Sequence, residues 1–578
     1  MDDIWEPHAP AAAGGLRPLH AAGLDLRVSG SATVRETADG VIEVTADDAA
    51  GSPDGTRIEW RLPCTDAVAL WTPELRGSSW LPAAWSAPRR TSLAKGAPVA
   101  ALVGTGDVAI CAFAADRPDV LAGAGVVEEN GEFRFWVQAT GRLTVRIDTS
   151  RRHFARCLAD LADWWGAGHR ADVPDAARRP AFSTWYAMQQ NITPEAVETQ
   201  AALGKELGLD TIIVDDGWMT VDRTRGYAHC GDWEPHSLPD TAAHIRRVHD
   251  LGVRYLLWYA LPFIGKESEA WEHLGQYALA DAGHLGAIVA DPRYPAVREH
   301  LTGCLARAVE EWGADGLKID FVDWFAVADP PAAGPEADCA TVDEGVERLL
   351  AAIRGRITAV QPEAMIEHRQ PYTSPGLWPW TTMVRATDCP LSPQDNRERT
   401  VDLRLVSGPI AVHADMLMWH PDESPEQVAC HLINVLFAVP QISVDLSTQS
   451  PEQREALAFW LGVVRDHTQT LQLGDLRPAR PDLGYPMVTA SGAGTVAVAR
   501  YAPLPVRAEG DGWHTLLVAN ADADPDVRLH GIQGPAEVTV QDARGRIVRS
   551  DTADLADGSV VTVPRGGLLT VRRPQDNP

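Results

Sequence analysis

Apolar and polar residues alternate in short runs along the first third of the chain. Residues 24–28, 41–45, 57–62, 108–113, 133–137 and 143–147 each repeat with period two, the pattern of a strand with one face buried. Turn formers separate them: Ala38-Asp39-Gly40, Gly104-Thr105-Gly106-Asp107, Asn130-Gly131 and Gly141-Arg142. Strands spaced in this way predict an antiparallel β-sandwich over residues 1–175. A helix over 154–165 and a linker-like stretch over 167–174 lead out of it.

From Pro180 the rhythm changes. Strands are expected at 181–186, 211–214, 255–259, 316–319, 364–367 and 382–386. Helices are expected at 194–207, 241–251, 295–312, 343–357, 396–405 and 451–467, with Thr193 as N-cap and Pro194 at the first position of the first. Repeated βα units over residues 176–474 predict a (β/α)8 TIM barrel. A doubly wound sheet fits less well, because no Gly-rich phosphate loop follows the first strand. Beyond residue 475 the period-two runs return at 487–490, 495–501, 515–520, 537–541, 560–563 and 568–571, predicting a small C-terminal β-sandwich over 475–578. Three domains suit 578 residues, which exceed what one core holds.

Charge narrows the choice of partner. The net charge of −28 is spread along the chain, which repels nucleic acid and anionic membrane and disfavours an anionic substrate. No apolar run approaches the roughly eighteen residues a membrane helix needs. The opening Met1-Asp2-Asp3-Ile4-Trp5-Glu6 is acidic and lacks a signal-peptide pattern, so a cytoplasmic location is expected. The eight cysteines are scattered without a C-x-x-C pair, and free thiols are expected. Tryptophan, at 20 residues, outnumbers Tyr (9) and Phe (10). Indole faces suit the apolar C–H faces of sugars, so this excess tilts the substrate toward carbohydrate. An acidic surface and large β domains are compatible with a homo-oligomer.

The chemistry collects at strand ends. In Gly316-Leu317-Lys318-Ile319-Asp320-Phe321, strand alternation puts Lys318 and Asp320 on one face, with Leu317, Ile319 and Phe321 on the other. Other strands end in Thr184-Trp185-Tyr186, Val214-Asp215-Asp216-Gly217-Trp218, Trp258-Tyr259 and Arg385-Ala386-Thr387-Asp388. One by one these are ordinary: Asp216-Gly217 suits a turn, Asp388 a bend before Pro390, and buried Trp a core. Their gathering at the C-terminal ends of parallel strands is where barrel active sites form. Asp320 and Asp388, from different strands, are candidates for the carboxyl pair of retaining glycoside hydrolysis, one nucleophile and one acid then base. Lys318 favours the ionised form of Asp320. Asp388 must hold a proton near neutrality, which a close Arg385 opposes, so Arg385 is expected to reach the sugar or the nucleophile. Asp215 and Asp216 are expected to accept bonds from two sugar hydroxyls, with Trp185, Trp218 and Trp258 walling the ring.

These segments, with Gly231-Asp232-Trp233 and Gly252-Val253-Arg254-Tyr255-Leu256-Leu257-Trp258, resemble the α-galactosidases of glycoside hydrolase family 36 and their clan. The resemblance implies Asp320 as nucleophile and Lys318 in contact with the sugar. It also implies Asp388 as acid/base after a substrate-binding Arg385, and Asp215 and Asp216 on the hydroxyls of a terminal galactose. It further implies hydrolysis of terminal α-galactosyl residues of oligosaccharides with no cofactor and no metal. Close variants are an α-N-acetylgalactosaminidase, a β-L-arabinopyranosidase or a galactosyl transferase on the same site. A non-catalytic carbohydrate-binding protein is the rival of a different class. The segment after Asp388, Leu391-Ser392-Pro393-Gln394-Asp395, departs from the Ser-Asp-Asp-Thr-Asp pattern of many members, and Asp395 competes as acid/base. Asp388 is preferred because it lies nearer the strand end. Glu367 is a further carboxylate within reach of the site. His413-Ala414-Asp415 with His420, and Glu367-His368, lack the spacing of a zinc protease, and no Gly-x-Ser-x-Gly element is present.

Overall fold

The structure is a computed structural model and describes residues 16–21, 23–47, 55–74, 81–167, 170–508 and 512–573. The acidic opening and Gly168-His169 of the expected linker lie outside the described residues. The chain divides into two compact units. The first comprises residues 1–169 with the short segments 371–377 and 479–484; the second holds the rest.

The first unit contains two six-stranded antiparallel sheets. One runs Arg17–Ala21, Leu24–Val28, Thr56–Pro63, Glu132–Ala139, Leu121–Val127 and Arg89–Arg90; the other runs Ser31–Ala38, Val41–Asp47, Leu143–Asp148, Val108–Ala115, Val99–Gly104 and Ala67–Trp71. Alternation puts Leu24, Leu26 and Val28 inward while Asp25 and Arg27 face out. Trp60, Phe113, Phe133 and Phe135 stack at the centre of this core, with ring centroids 4.8–5.6 Å apart.

The second unit begins with an eight-stranded parallel barrel. Its strands are Ala181–Ser183, Thr211–Val214, Arg254–Ala260, Gly316–Asp320, Met365–Arg369, Met383–Arg385, Ala411–His413 and Gln441–Ile442. The ring closes through Ala414 N–H to Val439 O at 2.9 Å and Val439 N–H to Val412 O at 2.8 Å. Gly316 is required where the fourth and fifth strands approach: a Cβ there would sit 1.9 Å from Met365 O. The seventh and eighth strands were not expected, being only 3 and 2 residues long. The first strand is also shorter than its period implies. It stops at Ser183, and Thr184–Met188 form a helical turn.

Two residues of strand bring a side chain back to the same face, and this builds the barrel in layers. Ala181, Ile213, Leu256, Met365, Met383 and Ala411 pack together as an apolar floor. The next inward positions are Ser183, Asp215, Trp258, Glu367, Arg385 and His413, joined by Lys318 after Gly316. Above these come Asp320 and Arg369. Apolar floor gives way to charged mouth within one step of the pleat.

Beyond the barrel, a seven-stranded and a three-stranded sheet enclose a core that includes Val498, Val518, Val538 and Leu569. These sheets lie against barrel helices: Tyr501 O–H donates to Ile433 O at 2.8 Å, and the Arg397 guanidinium lies 4.1 Å over the Tyr501 ring. All eight cysteines are free thiols. Among the described residues no helix is long and apolar enough to cross a membrane.

Candidate active site

Asp320 ends the fourth strand and is buried. Its Oδ2 accepts from Trp258 Nε1 at 3.0 Å. Its Oδ1 accepts from the backbone N–H of Phe321 at 2.8 Å and from Arg369 Nε. Burial lifts this carboxyl, but Arg369, Lys318 and Arg385, with the Trp258 bond, outweigh burial and hold it far below the ordinary carboxylate range. It is therefore an ionised carboxylate in a desolvated place.

Lys318 sits one pleat below and points its ammonium at Asp215, Nζ to Oδ2 at 2.5 Å. Asp215 is further fixed by its backbone N–H on Thr184 Oγ1 at 2.9 Å. Asp216 is equally buried but differently placed. Its Oδ2 accepts from Gln190 Nε2 at 3.0 Å, while its Oδ1 has no hydrogen-bond partner among the described residues. Burial and the neighbouring Asp215 push its pKa up from 3.8 to about 7. The turn that aims it needs Gly217, whose φ of +108° leaves no room for a Cβ: Gln190 Cα would be 2.6 Å away.

Arg385 is 1% exposed and faces three carboxylates. Its Nη1 donates to Asp415 Oδ1 at 2.5 Å, its Nη2 donates to Asp388 Oδ1 at 3.0 Å, and its Nε lies 3.7 Å from Glu367 Oε1. Arg385 was expected to reach the sugar or the nucleophile; its charge acts on Asp320, while its hydrogen bonds go to Asp415 and Asp388. It engages Asp388 itself. Asp388 stands half exposed after the sixth strand. Burial raises its pKa, but Arg385 and Lys318 outweigh that, so in the free protein it lies below its ordinary value. Asp395 is on the first turn of the helix Pro393–Val406, past Asp388 and further from the strand end.

The three tryptophans part company. Trp218 is fully buried: its indole N–H donates to Trp258 O at 2.8 Å, and its ring packs against Trp233, Tyr259 and Trp312 at 5.3–5.9 Å. It is core, and the expectation that it walls a sugar ring is corrected. Trp258, 2% exposed, donates to Asp320 and so stands at the nucleophile. Trp185, on the helical turn after the first strand, is partly exposed, with the Arg225 guanidinium 5.6 Å over its ring. Gly231-Asp232-Trp233 proves structural as well: the Asp232 carboxylate accepts the N–H groups of Glu269 and Ala270 at 2.7 and 2.8 Å.

Arg369 and Gln441 escaped the sequence reading, and Asp415 was named there only beside His413, as a candidate ligand or pocket-lining residue. Arg369 lies two positions beyond Glu367 on one strand face, a spacing that would have found it. Asp415 accepts from Arg385, from Cys389 N–H at 2.7 Å and from Tyr186 O–H at 3.2 Å. Gln441, on a two-residue strand, donates to Glu367 Oε2 at 2.5 Å and meets His413 Nδ1 at 3.1 Å. His413 also donates from Nε2 to Ala177 O at 2.7 Å, which places it in the barrel interior. Among the described residues no group of three or more His, Cys, Asp or Glu is placed to hold a metal ion.

One mouth of the closed parallel barrel thus carries paired aspartates, a Lys-x-Asp strand and an arginine-linked aspartate. The family model described as Melibiase matches residues 171–335, and the resemblance to family 36 read from the motifs is borne out. Over 163 residues the chain is 23% identical to the α-galactosidase Mel36A of Lactobacillus acidophilus, covering 27% of this chain and 21% of that protein. Over 220 residues it is 27% identical to the A type blood α-D-galactosamine galactosaminidase of Flavonifractor plautii, covering 34% and 18%. The matched stretches thus span about a fifth of these relatives' length. The fold matches that of a variant of the family 36 α-galactosidase AgaA of Geobacillus stearothermophilus in complex with stachyose. The TM-score is 0.64 at 14% identity, over 95% of this chain and 81% of that one. The Thermus thermophilus α-galactosidase TtGalA, in complex with stachyose, gives 0.54 at 16% identity over 78% and 99%.

Proposed function

We propose that this protein is a retaining exo-glycosidase that removes terminal α-galactosyl residues from oligosaccharides. The observation that carries it is a pair of buried carboxyl groups in one mouth, one with both oxygens bonded and one with an oxygen left open. Asp320 is ionised and triply bonded, while Asp216 keeps an oxygen without a partner. A buried acceptor left open costs stability unless a ligand satisfies it. A hydroxyl-rich neutral ring does so without adding charge to a strongly acidic chain.

In this reading the Asp320 carboxylate attacks the anomeric carbon while Asp388 protonates the departing glycosidic oxygen. Asp388 then takes the proton of the water that hydrolyses the galactosyl-enzyme. The free protein holds Asp388 ionised against Arg385, so the acid must form on binding. A sugar covering this half-exposed carboxyl removes water from it and raises its pKa. Trp258 orients the nucleophile, the charge of Lys318 favours its ionised form, Asp215 and Asp216 receive the hydroxyls, and Trp185 is the partly open indole of the three candidates. Retention calls for the two carboxyl groups about 5–5.5 Å apart.

The architecture is read as three domains over 1–175, 176–474 and 475–578, and the location as cytoplasmic. A second substrate, a terminal α-N-acetylgalactosaminyl residue, is favoured by the similarity to the galactosaminidase of Flavonifractor plautii. Nitrophenyl α-galactoside, α-N-acetylgalactosaminide and β-L-arabinopyranoside, offered to the protein and to Asp320→Ala, separate the readings. The expected result is turnover of the first, lost in the variant. Hydrolysis of none of them, with calorimetry showing sugar binding alone, overturns the enzyme reading.

A further inference from the structure

Arg369 ends the fifth strand on the face that carries Met365 and Glu367, and so projects into the mouth. Its Nε donates to Asp320 Oδ1, and its Nη1 donates to Gln370 O at 2.7 Å. Its guanidinium lies 5.1 Å over the ring of Phe321, and its side chain is 13% exposed. Phe321 makes an unusual bed. It follows the nucleophile at φ +66°, a left-handed backbone that a bulky residue adopts only when its surroundings enforce it. Tyr227 and Phe263 enforce it here, with ring centroids 5.2 and 5.3 Å from that of Phe321. The same twist aims the Phe321 N–H at Asp320 Oδ1. Arg369 and the strained peptide therefore converge on one carboxylate oxygen.

The other cations of the mouth act on Asp320 only through their charge, and their closest carboxylate partners lie elsewhere: Asp215 for Lys318, and Asp388, Asp415 and Glu367 for Arg385. Arg369 directs its charge at the nucleophile. That charge has opposite consequences in the two halves of a double displacement. In the first half the carboxylate gives an electron pair to the anomeric carbon and loses its charge, which a fixed cation opposes. In the second half a water oxygen bonds to that carbon and its proton passes to Asp388. The bond from carbon to Asp320 then breaks, and its electron pair returns to the carboxylate, which a fixed cation favours. An arginine cannot surrender its proton in either half, so its effect does not fade with pH.

Resting on the retaining mechanism proposed above, we propose that Arg369 is a catalytic residue of the second half-reaction: it receives Asp320 as the leaving group when water breaks the glycosyl-enzyme. The test is pre-steady-state kinetics of Arg369→Met with dinitrophenyl α-galactoside, whose good leaving group makes the first half fast. Loss of one charge-assisted hydrogen bond should lower kcat about 10- to 100-fold. The same change should leave kcat/KM nearly unchanged, lower KM, and produce a burst of about one dinitrophenolate per site. Mass spectrometry of the quenched variant should show the galactosyl-enzyme. Arg369→Gln keeps a donor without the charge and should give the same burst if the Met variant folds poorly; Arg369→Lys should recover part of kcat. Equal falls in kcat and kcat/KM without a burst, or no change in either, overturn the proposal. A parent protein inactive on every α-glycoside overturns the retaining reading itself, whereas an active parent with burst-free variants overturns only the role of Arg369.

Discussion

Replacing Arg385 by Met keeps much of its apolar length and removes the charge that three carboxylates share. Arg385 is 1% exposed, Asp415 and Glu367 are sealed beside it, and Asp388 alone reaches water. Breaking a buried ion pair from one side leaves an uncompensated charge and costs about 3–5 kcal/mol. At about 2 °C per kcal/mol for a unit of this size, the Tm should fall by roughly 6–10 °C. The loss should also depend on pH. Burial already raises Glu367 and Asp415 above their ordinary values even with Arg385 present, and its removal raises them further. Groups raised on folding bind protons more readily in the native state. Their contribution is complete below the unfolded values of about 4 and is lost as pH rises through the folded values. The destabilisation of Arg385→Met should therefore be largest at pH 8 and smaller at pH 5. Urea unfolding followed by tryptophan fluorescence at the two pH values measures it. A loss below about 1 kcal/mol, or the same loss at both, would refute the reasoning.

Asp216→Asn should be more stable than the parent at pH 8 and indistinguishable from it near pH 4. The carboxyl, raised from 3.8 to about 7, binds a proton on folding and forfeits stability as pH climbs through that window. The same variant should weaken galactose binding about 10- to 100-fold by calorimetry, since the open acceptor is then an amide. Trp218→Phe should lower the Tm, losing its bond to Trp258 O and packing worth about 1–3 kcal/mol, while leaving KM unchanged; a raised KM would return Trp218 to the sugar site.

The barrel was legible because its strands and helices differ in period and because charge appears where an apolar strand ends. Asp215, Lys318, Asp320 and Arg385 all lie at inward positions one or two pleats above the apolar floor, as alternation requires. The misreadings have physical causes. The seventh and eighth strands, 3 and 2 residues long, were not expected, which hid Gln441 and left Asp415 after His413 outside any expected strand. Trp218 was read as a platform because sequence marks the end of a strand but not how deep the next ring sinks. The Arg385 charge was visible, but not its direction. It turns inward because Asp415 and Glu367 are buried there and need a counter-charge. Arg369 was overlooked although the pleat announces it, two residues past Glu367.

The most direct measurement is to trap the intermediate. Incubation with 5-fluoro-α-D-galactosyl fluoride, proteolysis and peptide mapping should place one galactosyl adduct on Asp320, in the segment Gly316-Leu317-Lys318-Ile319-Asp320-Phe321. Asp320→Ala should take up no label. An adduct on another carboxylate, or full turnover by Asp320→Ala, would contradict the account.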